Sequence, residues 1–146
     1  MRSLVRKFAV VAGVVVAGVV VAPVAQAQAA TVATCPGSEV SGFPKSLKNQ
    51  LGDLAGSLHL WYSGANGGTN CAKVYDDASG SHSMSVSIRR SDQSTPVTDS
   101  GTFATYAGGV VVTGTDGKCI YVSGSLSLGS GSVNQFRASA GPVACG

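Results

Sequence analysis

His59 and His82 stand in a chain with many serines and seven acidic residues, so the first chemistry to test is nucleophilic hydrolysis by Ser, His and an acid. A common form of that chemistry holds Ser on a sharp strand-to-helix elbow, Gly-x-Ser-x-Gly, and the nearest run, Gly129-Ser130-Gly131-Ser132, breaks at Val133. Glycoside hydrolysis needs a spaced carboxylate pair, whereas Glu39 is the one glutamate and Asp76-Asp77 sit side by side. Asp76 to Ser81 places two carboxylates ahead of hydroxyls, as a calcium loop does, but Gly80 stands where a hydroxyl is needed. Calcium wants about six to eight oxygens, so the segment reads as a solvated turn. The expectation is no catalytic residue, no cofactor and no metal.

Cys35, Cys71, Cys119 and Cys145 are even in number, widely spaced and free of any Cys-x-x-Cys pair. Zinc needs close ligand pairs, so disulfides are the stronger reading. Cys71 and Cys119 each stand at the start of the second strand of an expected hairpin, while Cys35 and Cys145 lie near the two mature ends. Pairing of Cys71 with Cys119 and of Cys35 with Cys145 is therefore expected.

Disulfides require an oxidising compartment, and the N-terminus supplies the route. Arg2, Arg6 and Lys7 form a basic head, Phe8 to Ala22 is apolar, and Ala25-Gln26-Ala27 offers small residues for cleavage. The apolar run falls short of the roughly 20 residues a spanning helix needs, so residues 1–27 read as a signal peptide. The mature remainder, 28–146, is long enough for one modest core. Three of the ten Lys and Arg lie in the basic head, which leaves seven against seven acidic residues. A neutral mature chain gives no electrostatic case for nucleic acid or an anionic membrane.

The elements that must position these residues are mostly strands. Leu47, Leu51 and Leu54 recur at helical spacing after Pro44, but Gly52 and Gly56 interrupt, so 44–51 is either a short helical turn or an irregular loop. Val40 to Phe43 is a candidate first strand. Beyond residue 57 the period is two. Leu58, Leu60 and Tyr62 alternate with His59 and Trp61, and Asn66-Gly67-Gly68 turns the chain into Cys71 to Tyr75. Met84, Val86 and Ile88 alternate with serines, and a polar loop from Arg89 to Ser100 carries Pro96. Phe103 to Tyr106 and Gly109 to Thr113 come next, with Asp116-Gly117 as a second hairpin turn into Cys119 to Val122, whose apolar face Leu126 and Leu128 continue. Val133 to Ala138 completes an all-β chain: a small antiparallel sandwich or barrel of six to eight strands, with two disulfides.

On the strand at 58–62, Tyr62 is expected in the core with Leu58 and Leu60, and His59 and Trp61 outside. Trp61 either packs under a loop or offers its ring to a sugar face or a partner protein. His59, Trp61 and Tyr106 are therefore the candidate binding residues.

Several stretches together resemble the spore-associated protein A family of small exported actinobacterial proteins. They are Leu58-His59-Leu60-Trp61-Tyr62, Asn70-Cys71, the run from Asp99 to Val112, and Gly117-Lys118-Cys119-Ile120. Gly109 stands where family members usually carry proline, and Tyr121 and Ser123-Gly124 stand where they often carry tryptophan and glycines. The resemblance implies an exported, non-enzymatic protein that joins spore or cell-envelope components. Two other classes are carried beside it: an extracellular carbohydrate-binding module that meets polysaccharide through Trp61, and a secreted protease inhibitor presenting Arg89-Arg90 on a rigid loop.

Overall fold

A computed structural model describes residues 30–146, so the expected signal peptide, 1–27, lies outside the described residues. Nine strands form: β1 (Ser38–Glu39), β2 (Lys45–Lys48), β3 (Leu54–Ser63), β4 (Thr69–Asp76), β5 (His82–Arg90), β6 (Val97–Phe103), β7 (Tyr106–Thr113), β8 (Ile120–Ser127) and β9 (Gln135–Val143). All pairings among them are antiparallel, in the order β6-β5-β8-β9-β2-β3-β4-β7, with β1 on β3. The two ends of that order, β6 and β7, are separated only by Ala104 and Thr105, so the sheet curls into a nearly closed eight-strand barrel. Across the seam the Gly108 amide donates to Asp99 Oδ2 at 2.8 Å.

Period-two alternation produces the core. Leu58 and Leu60 of β3, Ala72 and Val74 of β4, Met84, Val86 and Ile88 of β5, and Ile120, Val122 and Leu126 of β8 all point inward and are buried. Gly124 of β8 faces the same interior because the barrel is tight there: a Cβ would stand 2.3 Å from Val74 Cγ2.

The expected turn at Asn66-Gly67-Gly68 forms, with φ of 57°, 69° and 85° at these residues. Five expectations are corrected. Val40 to Phe43 makes a turn and not a first strand, closed by the Phe43 amide, which donates to Val40 O at 3.1 Å. Residues 45–48 form β2 and not a helical turn or loop, because Leu47 alone is buried, while Leu51 and Leu54 are 69% and 61% exposed. With no apolar stripe to bury, a helix loses to pairing between β3 and β9. Asp116-Gly117 turns the chain, but β7 pairs with β4, and β8 with β5 and β9, so this is a crossover and not a hairpin. Arg89 and Arg90 end β5 instead of opening a loop, with Arg89 opposite Tyr121 and Arg90 opposite Ile120.

The disulfides are Cys35–Cys71 and Cys119–Cys145, not Cys71–Cys119 and Cys35–Cys145. The crossover is the reason, since Cys119 has no place on a hairpin that matches Cys71. Cys71 instead faces outward between Trp61 and Val111, beneath the N-terminal segment. Cys119 precedes β8, whose Ile120 pairs with Val143 just before Cys145.

Candidate functional site

Trp61, His59 and Tyr106 come together on the outer face of β3, β4 and β7. Ser57, His59 and Trp61 are the outward positions of β3, and they register against Tyr75, Lys73 and Cys71 of β4. Tyr75 in turn registers against Tyr106 of β7. The rings form a continuous ribbon: His59 stacks on Trp61 (centroids 5.4 Å apart, planes 13° apart), meets the edge of Tyr75 at 5.0 Å, and Tyr75 lies 5.6 Å from Tyr106. Trp61, His59, Tyr75 and Tyr106 are all half-buried, so each keeps part of its ring in solvent.

Lys73 lies within the ribbon. It is 4% exposed, its Nζ stands 3.9 Å over the Tyr106 ring, and it donates to the Ala33 carbonyl at 2.5 Å. A buried ammonium above an aromatic face is held by the ring's quadrupole. Burial also pushes the Lys73 ammonium below the usual lysine value, and burial, followed by the charges of Tyr106 and Glu39, pushes the Tyr75 phenol up. The segment above Lys73 is fixed by the Cys35–Cys71 bond and by the Val32 amide, which donates to Gly109 O at 2.9 Å. Between it and the ribbon is a depression of about 230 Å³, lined by Ala33, Thr34, Cys35, Trp61, Lys73 and Tyr75.

On the other side of Trp61, Glu39 of β1 accepts from His59 Nδ1 at 2.5 Å. That bond places the ring proton on Nδ1, so Nε2 can accept from Ser57 Oγ, 3.0 Å away. Ser57, His59 and Glu39 thus stand in the order nucleophile, base and orienting acid. Ser57 lies in mid-strand, paired with Ser46 of β2 and Tyr75 of β4, so the sheet occupies the backbone on both sides and offers no converging amides for an oxyanion. What the chain does achieve is to hold the His59 ring flat against Trp61.

Tyr62 departs from expectation. It is 39% exposed instead of buried with Leu58 and Leu60, and its phenol donates to Asp116 Oδ1 at 2.6 Å. His82, at the start of β5, donates from Nδ1 to Asp76 Oδ2 at 2.6 Å and takes no part in the ring contacts of the ribbon. Asp76 also accepts from the Ala78 amide at 2.8 Å. No group of three or more potential metal ligands occurs among the described residues. Sequence reasoning missed Tyr75 and Lys73, although both share the strand parity of Cys71, which any outward disulfide would have placed on this face.

No helix among the described residues is long and apolar enough to cross a membrane. Two disulfides fit a protein that resides outside the reducing cytoplasm. Comparison with known family models, with curated proteins and with solved structures finds no match.

Proposed function

We propose that the mature chain is an exported accessory protein of the spore or cell envelope, without a catalytic role, that docks on envelope polysaccharide through Trp61, His59, Tyr75 and Tyr106. The observation that carries this reading is the unbroken row of four half-exposed rings on one rigid sheet face. Sugar rings present apolar C–H faces that stack on such a surface, and rings fixed by a disulfide-braced sheet lose little freedom on binding. The resemblance to the spore-associated protein A family supports the location, and the ribbon supports the mode of attachment. The inhibitor reading has less support, since Arg90 donates to Asp92 at 2.9 Å and to the Thr113 carbonyl at 2.7 Å, which holds its guanidinium down.

Trp61 is the one tryptophan in the chain, so its fluorescence reports on the ribbon directly. Titration with peptidoglycan or chitin fragments is expected to shift its emission saturably, and Tyr106→Ala is expected to weaken binding about threefold to tenfold. No response at millimolar sugar, together with recovery of the mature chain wholly in the culture medium, would remove this reading.

A further inference from the structure

The opposite side of the barrel carries a second ordered surface, built from hydroxyls and cations. Because Met84, Val86 and Ile88 point inward on β5, Ser83, Ser85, Ser87 and Arg89 must point outward. The same alternation on β8 puts Tyr121, Ser123, Ser125 and Ser127 outside. Register then sets these residues in rows across the sheet: Ser85–Ser125–Arg137 and, one step along, Ser87–Ser123–Ser139. β6 extends the rows with Ser100 and Thr98, and Lys48 of β2 stands beyond Arg137. Strand geometry spaces such a lattice at ~4.8 Å between strands and ~6.8 Å along them.

The lattice is concave. Two adjoining depressions, of about 480 and 420 Å³, share Ser123 and Ser139 and so form one groove across β5, β8 and β9. Arg137 lies in the first, and Arg89, stacked 4.2 Å over the Tyr121 ring, in the second. Among the described residues, the hydroxyls of Ser85, Ser123, Ser125 and Ser139 make no side-chain hydrogen bond, and Arg137 and Lys48 make no ion pair.

The charge is one-sided although the mature chain is neutral. The acidic residues are placed elsewhere: Glu39 on His59, Asp76 on His82, Asp92 on Arg90, Asp99 in the seam, Asp116 on Tyr62, and Asp53 and Asp77 between strands. A face that served only to stay wet would mix both signs. This one offers free hydroxyl donors and acceptors flanked by Lys48, Arg89 and Arg137, with no carboxylate.

We propose that this groove is a second binding site, distinct from the aromatic ribbon, for an acidic polysaccharide: a polyhydroxylated chain whose repeating units carry carboxylate or phosphate. The hydroxyl rows hydrogen-bond to the polyol and the cations take the acid groups, Arg137 through its planar fork. Attraction to a row of negative charges weakens with salt, unlike stacking on the ribbon.

The full mature chain is titrated by calorimetry with oligogalacturonate, with poly(glycerol phosphate) and with neutral dextran, at low and at high salt. Salt-sensitive binding of one or both acidic polymers, with dextran inert, is expected; which acidic polymer binds distinguishes carboxylate from phosphate. Arg137→Gln, at an exposed position, is expected to weaken that binding about tenfold, and Ser123→Val with Ser125→Val to weaken it further. Trp61→Ala should leave it unchanged, which separates this site from the ribbon: loss of ribbon binding alone would leave this proposal standing. Equal binding of dextran, an unaltered affinity in Arg137→Gln, or loss of acidic-polymer binding in Trp61→Ala would each overturn it. So would a concentration-dependent dimer that Arg137→Gln dissociates and acidic polymer does not, since a second copy would then cover the face.

Discussion

Asp116 and Tyr62 show how a single contact between β3 and the segment joining β7 to β8 carries a pH signature. The hydrogen bond to Asp116, then desolvation and the nearby carboxylate charge, raise the Tyr62 phenol above its ordinary value of 10.0. A group raised in the folded state contributes stability that is fully present below its unfolded value and lost as pH rises through the folded one. Asp116→Asn removes the charge that opposes the phenolate, so Tyr62 should ionise at lower pH than in the parent. Ultraviolet phenolate titration of the two proteins checks this: the variant's tyrosine curve should gain ionisation earlier, and superimposable curves would show that the contact is absent in solution. At the same scale Ser57, His59 and Glu39 are hydrogen-bonded in line, and pairing of Ser57 with Ser46 and Tyr75 takes up the backbone amides beside its hydroxyl.

At the scale of the element, β7 is bent where it must pass beneath the N-terminal segment. Its register to β4 slips between Ala72 and Lys73, so that Ala72 faces Val110 and Lys73 faces Gly108, leaving Gly109 as the extra residue of a bulge. Gly109 has φ of 79°, and a Cβ there would stand 1.9 Å from Val32 O. Gly109→Ala should cost ~2 kcal/mol through left-handed strain and collision with that segment, read as a lower urea midpoint at unchanged slope. A midpoint equal to the parent's would mean that the segment does not lie against the bulge. Proline would lack the φ that this bulge uses. Elements of this kind divide what the sequence discloses from what it hides. The β3–β4 turn and the inward faces of β5 and β8 were legible because turn chemistry and period two are local. Strand β2 was not, since Leu47 becomes a strand residue only once β3 and β9 flank it. The crossover after β7 was hidden for the same reason: Asp116-Gly117 specifies a reversal but not which strand comes next. At the ribbon, Trp61, His59 and Tyr106 could be picked as aromatic or outward residues. Tyr75 and Lys73 needed the β3–β4 and β4–β7 registers to join them.

Across the whole molecule, the two disulfides do different work because each fastens one chain end to a different part of the barrel. Cys35–Cys71 closes a loop with a sequence separation of 36, and Cys119–Cys145 one of 26. Chain entropy assigns each roughly 3.5 to 4 kcal/mol, within a range of about 0 to 5, so loop size alone predicts similar losses of stability for Cys35→Ser with Cys71→Ser and for Cys119→Ser with Cys145→Ser. Their effects on the ribbon should differ. Cys71 registers directly against Trp61, and the segment it anchors covers Lys73 and one wall of the depression beside Trp61. Releasing that bond should let water reach Lys73 and Trp61, shifting tryptophan emission to longer wavelength under native conditions and weakening sugar binding. Releasing Cys119–Cys145 frees the tail beyond β9, which lies next to Ile120 and Val143 and beside Ser38, Glu39 and Tyr62 but does not line the depression beside Trp61, so stability should fall with a smaller red shift and a smaller loss of sugar binding than release of Cys35–Cys71 gives. Emission spectra and urea unfolding of both double variants test the distinction. Identical red shifts in both would place Trp61 outside the control of the N-terminal staple, and the ribbon would then have to owe its order to the sheet alone.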